Sequence, residues 1–134
     1  VADMGGSVFK NTGIKTVTFA EGMSKIPAYA LQDCNSAVTI MIPSTVTVIG
    51  GGTYAGAFDG CTNLKNIKLP KGLLEIGTNA FKNCNSLTEI TIPSTVTKIG
   101  QHAFGGCTSL QTVTFEGTKP QLGKDAFPSE LGIS

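Results

Sequence analysis

The stretch Leu87-Thr88-Glu89-Ile90-Thr91-Ile92-Pro93-Ser94-Thr95-Val96-Thr97-Lys98-Ile99-Gly100-Gln101-His102-Ala103-Phe104-Gly105-Gly106-Cys107 decides the fold. Leu87, Ile90 and Ile92 are apolar, with Glu89 and Thr91 between them, and alternation over so few residues marks a short, half-buried strand. Pro93 follows directly and, lacking an N–H, ends the ladder there. A second apolar pair, Val96 and Ile99, turns inward on the return path. Ala103-Phe104 points a third side inward in a short turn or helical piece, and Cys107 closes the unit.

The same unit recurs on both sides of this stretch. Cysteines at 34, 61, 84 and 107 are separated by 27, 23 and 23 residues. Prolines at 43, 70 and 93 give 27 and 23, and isoleucines at 26, 49, 76 and 99 give 23, 27 and 23. Three residue types therefore share one period, with four extra residues lodged in one place. Laying the copies over one another puts the interruption at Gly51-Gly52-Thr53-Tyr54, between Ile49-Gly50 and Ala57-Phe58. The front copy is ragged, with Phe9-Lys10-Asn11-Thr12 placing Thr12 where later copies have cysteine. Val1 to Phe9 spans eight positions where Ile76 to Phe81 spans five, which suggests a second insertion. Five near-complete coils result, and their strand positions repeat as Ile14, Val17, Phe19; Ala37, Ile40, Ile42; Leu64, Ile67, Leu69; and Leu110, Val113, Phe115. Strands in constant direction, one per coil, stack as a parallel sheet about 4.8 Å apart. No coil can bury its own apolar side chains, so stacked neighbours must share one core.

The copy Leu87-x-x-Ile90-x-Ile92-Pro93-x-x-Val96-x-x-Ile99-Gly100-x-x-Ala103-Phe104-x-x-Cys107 closely resembles the BspA-like leucine-rich repeat of bacterial and some protozoan surface proteins, over nearly the whole chain. The expected fold is an α/β solenoid, a leucine-rich-repeat superhelix. It has one short parallel strand per coil and turns or short 3-10 or helical pieces on the other sides. Residues 1–134 read as a single repeat domain, and, with no initial Met and no leader, as a segment of a longer chain. The resemblance further implies a curved solenoid with the sheet on its concave side, an extracellular or cell-surface setting, and adhesion or binding of a host-derived ligand.

Composition narrows the function. A net charge of +1 with 14% charged residues offers no footprint for nucleic acid. No apolar run approaches the roughly 18 residues of a spanning helix, so direct membrane insertion is not expected. The regular place of the cysteines favours a column of buried free thiols over disulfides, since stacked parallel side chains have the wrong torsion to pair. Zinc wants two close ligand pairs, and there is no C-x-x-C. His102 is the only histidine and stands in a turn where its sister copy has Asn79. Ser86, Ser94 and Ser109 hold ordinary repeat positions, the acidic residues are scattered, and Gly50-Gly51-Gly52 lacks the Lys-Ser/Thr of a phosphate loop. No catalytic, metal or cofactor site is expected.

Binding is left. The residues between the buried strand positions project outward: Thr16 and Thr18, Thr39 and Met41, Asn66 and Lys68, Glu89 and Thr91, Thr112 and Thr114. Such a hydroxyl-rich face suits a protein or glycan ligand. Tyr54 in the interruption is a second candidate, because insertions in repeat arrays map to surface loops and tyrosine often anchors interfaces. The expected function is a non-catalytic binding or adhesion module; the alternative is a structural spacer in a larger surface protein. Both ends look cut, and Leu131-Gly132-Ile133 stops as though another strand should begin, so end-to-end self-association is also expected.

Overall fold

The computed structural model describes residues 13–133. In chain order its strands are β1 (Thr16–Thr18), β2 (Lys25–Ile26), β3 (Thr39–Met41), β4 (Val48–Ile49), β5 (Asn66–Lys68), β6 (Glu75–Ile76), β7 (Glu89–Ile92), β8 (Lys98–Ile99), β9 (Thr112–Phe115) and β10 (Gln121–Leu122). Each coil starts with an odd-numbered strand and continues through the even-numbered one after it. The odd strands lie side by side as the main sheet. The even strands form a second, five-stranded parallel sheet in the order β10-β8-β6-β4-β2. The single strand expected per coil is thus corrected to two. The return path carries its own ladder because Ile26, Ile49, Ile76 and Ile99 are all fully buried and in register across neighbouring coils.

The corner after each second strand explains the recurring Ile-Gly. A side chain on Gly50 would place its Cβ 2.6 Å from the Ile26 carbonyl oxygen, and one on Gly100 would place it 2.5 Å from the Thr78 nitrogen. Adjacent backbones nearly touch there, so only glycine fits. The Gly50 and Gly100 amides donate to the Ile26 and Ile76 carbonyls of the preceding coil.

The α/β class is not borne out. Among the described residues there is no α-helix, only a 3-10 turn at Ser129–Leu131. The reason lies in how the third side spends its amides. Those of Ala80, Lys82 and Cys84 bond three residues back, at 3.2 Å each, while those of Asn79, Phe81 and Asn83 donate to Gln101, Ala103 and Gly105 of the next coil. Every second N–H is committed between coils, so a continuous helical ladder cannot form. Asn79 (φ 61°) and Asn83 (φ 63°) are left-handed and would break it in any case.

One left-handed column reads Asp33, Gly60, Asn83, Gly106. The glycines leave room for side chains of the preceding coil: a Cβ on Gly60 would meet Asp33 Oδ1, and one on Gly106 Asn83 Oδ1, so that side chain would have to turn aside. Beside this column the rings of Phe58, Phe81, Phe104 and Phe127 form a ladder, with centroids 5.1, 5.0 and 4.9 Å apart. Cys34, Cys61, Cys84 and Cys107 are free thiols and fully buried. The thiols of Cys61, Cys84 and Cys107 donate to the carbonyls of Leu31, Phe58 and Phe81 in the preceding coil. The position therefore wants a small group with one weak donor. Thr12 and the insertion suggested by Val1 to Phe9 lie outside the described residues.

Two boundaries move. The Ala57 amide bonds Gly50 as Ala80 bonds Gly77, and the Gly52 amide reaches the Thr78 carbonyl as Asn79 reaches Gln101. Gly51 and Gly52 thus occupy regular places, and the four extra residues are Thr53 to Gly56 rather than 51–54. At the C-terminal side Leu131 and Ile133 pack on the core, in a 3-10 turn and its continuation rather than a new strand. Ala126 and Phe127 are accordingly 4% and 5% exposed, while Val113, Phe115 and Leu122 of the last coil stay half-buried.

Candidate binding surface

The pleat of the main sheet sends alternate side chains outward, and the ladders line them up. Thr16, Thr39 and Asn66 are in register, as are Thr18, Met41 and Lys68. Glu89 faces Thr112 and Thr91 faces Thr114 on the last two strands. All ten predicted face residues therefore line up within two blocks, six on β1-β3-β5 and four on β7-β9; nine are exposed and Thr39 is half-buried. The Asn66 amide group donates to the Thr39 hydroxyl at 3.3 Å, tying neighbouring coils at the surface. Tyr54 does not join them. It is 84% exposed on the Thr53–Gly56 bulge, on the side of the second sheet. The Asn79 side-chain nitrogen holds the bulge by donating to the Gly52 and Thr53 carbonyls at 3.0 and 3.4 Å, while Asn79 Oδ1 is buried without a partner. A depression of about 390 Å³ beside the bulge is lined by the corner glycines, Lys25, Thr53, Glu75 and Lys98 and shares no residue with those on the face.

The main sheet is interrupted. Its ladders join β1-β3-β5 and β7-β9, and among the described residues no ladder joins β5 to β7, although the two strands remain in contact. The same two coils are fastened above and below the opening. Ser86 Oγ donates to the Thr62 carbonyl at 2.7 Å, and Thr95 Oγ1 to the Lys71 and Leu73 carbonyls at 2.6 Å. The result is a bounded slot. On one side lies the largest depression of the molecule described, about 520 Å³, whose lining includes Met41, Lys65, Lys68, Lys71 and Glu89. A second, of about 360 Å³, reaches Lys68, Lys71, Thr91, Pro93 and Glu116. Met41 is 54% exposed, the single large apolar side chain on this face that is so open. The alternation of the strands did not single out the slot, Lys65 or Lys71. The signal was nonetheless present in Lys65-Asn66-Ile67-Lys68-Leu69-Pro70-Lys71, three lysines at even spacing around one strand.

Elsewhere the polar chemistry is structural. Burial pushes the Asp59 carboxyl up to about 6, Lys82 partly offsetting this and the Asp33 carboxylate adding to it. Burial likewise raises the thiols of Cys34, Cys61 and Cys84, which keeps them protonated and unreactive at neutral pH. His102 sits half-buried in a left-handed turn position (φ 55°), its amide bonded to the Lys124 carbonyl. Among the described residues no three His, Cys, Asp or Glu gather as a metal ion would need. Nor is any helix there long and apolar enough to cross a membrane.

A family model described as a BspA type leucine rich repeat region matches in six copies, over residues 1–56 and 53–134. No curated protein matches the chain. Among solved structures, a leucine-rich repeat protein from Bacteroides ovatus is 37% identical over 85% of this chain and 29% of its own length, with a TM-score of 0.71. A leucine rich cell surface protein from Faecalibacterium prausnitzii is 28% identical over 79% of this chain and 33% of its own, at a TM-score of 0.57. A leucine rich repeat protein from T. pallidum, 22% identical over 91% of this chain and 79% of its own, shares the fold at a TM-score of 0.54. The chain spans a third or less of the length of the first two. With the coil geometry and the six matched copies agreeing, the chain belongs to the BspA-type leucine-rich-repeat family.

Proposed function

We propose that this chain is a non-catalytic binding module of a cell-surface protein, recognising a protein or glycan through the outward face of its main sheet. One observation carries this: the five strands present aligned rows of mostly exposed side chains in two blocks, β1-β3-β5 and β7-β9, beside a depression of about 520 Å³. Extended solenoid faces of this kind suit ligands larger than a metabolite. The neighbour described as a cell surface protein supports the location, and adhesion is the role such a face would serve there. The Tyr54 bulge stands on another side, and any contact it makes is a separate one.

A spacer reading has its own support. Threonine side chains on the return path are spent on fastening coils, as when Thr45 Oγ1 donates to the Met23 carbonyl and Thr97 Oγ1 to that of Leu74. Arginines at Thr18, Thr91 and Thr114 should abolish binding to an immobilised panel of extracellular matrix proteins and glycans, with Tyr54→Ala as the off-face comparison. Panel binding unchanged by the face substitutions, in a protein with native circular dichroism, would favour the spacer.

A further inference from the structure

We propose that the lysine-rimmed depression over β5, beside the gap in the main sheet, receives an acidic and partly apolar polypeptide segment, a step that rests on the outward face being the binding surface. Parallel strands turn successive backbone groups to opposite sides. The Asn66 amide faces the preceding coil, where it bonds the Val38 carbonyl at 3.0 Å. The backbone groups of Ile67 therefore face β7, opposite those of Glu89 and Thr91, and no ladder joins the two strands. The Ser86–Thr62 and Thr95–Lys71 bonds tie the two coils together on either side of this gap, so the depression keeps a fixed floor.

The rim supplies charge. Among the described residues Lys65, Lys68 and Lys71 have no carboxylate within ion-pair distance, and Glu89 is the one acidic residue lining the larger depression. Three unpaired cations against one anion call for carboxylates on the partner. Met41, in register with Lys68, adds an open thioether that adapts its shape to an apolar side chain. A sulfated glycan would satisfy the lysines but leave Met41 uncovered. A neutral glycan would leave the lysines unmatched. Glu89 and Glu116, on the fourth and fifth coils, repel acid there and hold the segment towards the third coil.

The test is fluorescence polarisation with a short labelled peptide of alternating Glu and Leu, beside its Lys-Leu counterpart and a heparin oligosaccharide. The Glu-Leu peptide should bind, more tightly at low salt, and slow amide exchange at Ile67. The triple variant Lys65→Glu, Lys68→Glu, Lys71→Glu should weaken it about a hundredfold; Met41→Ser should weaken it roughly threefold to tenfold. Equal binding of the Lys-Leu peptide, or indifference to the triple variant, overturns the proposal. Heparin binding as tightly and ignoring Met41→Ser also overturns it, leaving a general polyanion site. If arginines at Thr18, Thr91 and Thr114 abolish binding to the matrix panel while the lysine variant does not, the face binds but this ligand class is wrong. If neither set matters, the binding face itself is wrong.

Discussion

The third and fourth coils meet on two sheets, and the two meetings differ. On the second sheet Glu75 and Ile76 pair in register with Lys98 and Ile99, the Gly100 amide donates to the Ile76 carbonyl at 2.8 Å, and Lys98 lies 4.0 Å from Glu75. On the main sheet the same coils share no ladder. Coil spacing is thus set where backbones touch, at the glycine corner, and not by the longer strands. About that fulcrum the main side opens, and the opening falls in the middle of the exposed face.

Putting a side chain into the corner tests this most severely. Gly100→Val drives the third and fourth coils apart on their closed side and should cost about 3 kcal/mol in urea unfolding. A loss below roughly 0.5 kcal/mol would mean the corner does not hold the coils. Amide exchange compares the two sheets directly. The Ile67 amide should exchange about a hundredfold faster than those of Gly77 and Gly100, and equal rates would remove the distinction between open and closed sides.

A smaller effect belongs to the third side, where Asp59 is 9% exposed. Its carboxyl ordinarily titrates at 3.8 and here at about 6, so the folded state favours the protonated form. The stability this contributes is complete below the unfolded value and is lost as pH rises through about 6. Asp59→Asn should therefore raise stability by about 2 kcal/mol near neutral pH and leave it unchanged in acid. A gain independent of pH would show that the carboxyl is not the cause. The smallest change concerns Gly72, whose place in the second and fourth coils is taken by Thr45 and Thr95. A Cβ there would lie 4.0 Å from the Ser44 carbonyl oxygen, so Gly72→Thr can add the missing fastening. It should raise the unfolding free energy by about 0.5–1 kcal/mol.

Much of this was legible in the sequence because side chains alternate with a period of two and coils with one of 23. The buried positions, the cysteine column and the ten outward residues all follow from those two numbers. What stayed hidden concerns relations between coils. Residue spacing alone put the interruption at 51–54, and only the bond from the Gly52 amide to the Thr78 carbonyl moves it to Thr53–Gly56. Ala-Phe suggested a helical piece because nothing in one copy reveals that every second amide is given to the next. The slot has the same origin: Leu64-x-x-Ile67-x-Leu69 and Leu87-x-x-Ile90-x-Ile92 carry the same pattern, yet their strands do not pair.

The column Asp33, Gly60, Asn83, Gly106 bears on how such an array can grow. A side chain in one coil occupies the space over the glycine of the next. Deleting the single coil that carries Gly60 would set Asn83 against Asp33, two side chains contending for one place. Removing or duplicating two coils together keeps the alternation intact. For this column a pair of coils is the step that disturbs nothing; a single glycine-bearing coil can also be added freely, whereas a single Asp- or Asn-bearing one makes a neighbouring side chain turn aside.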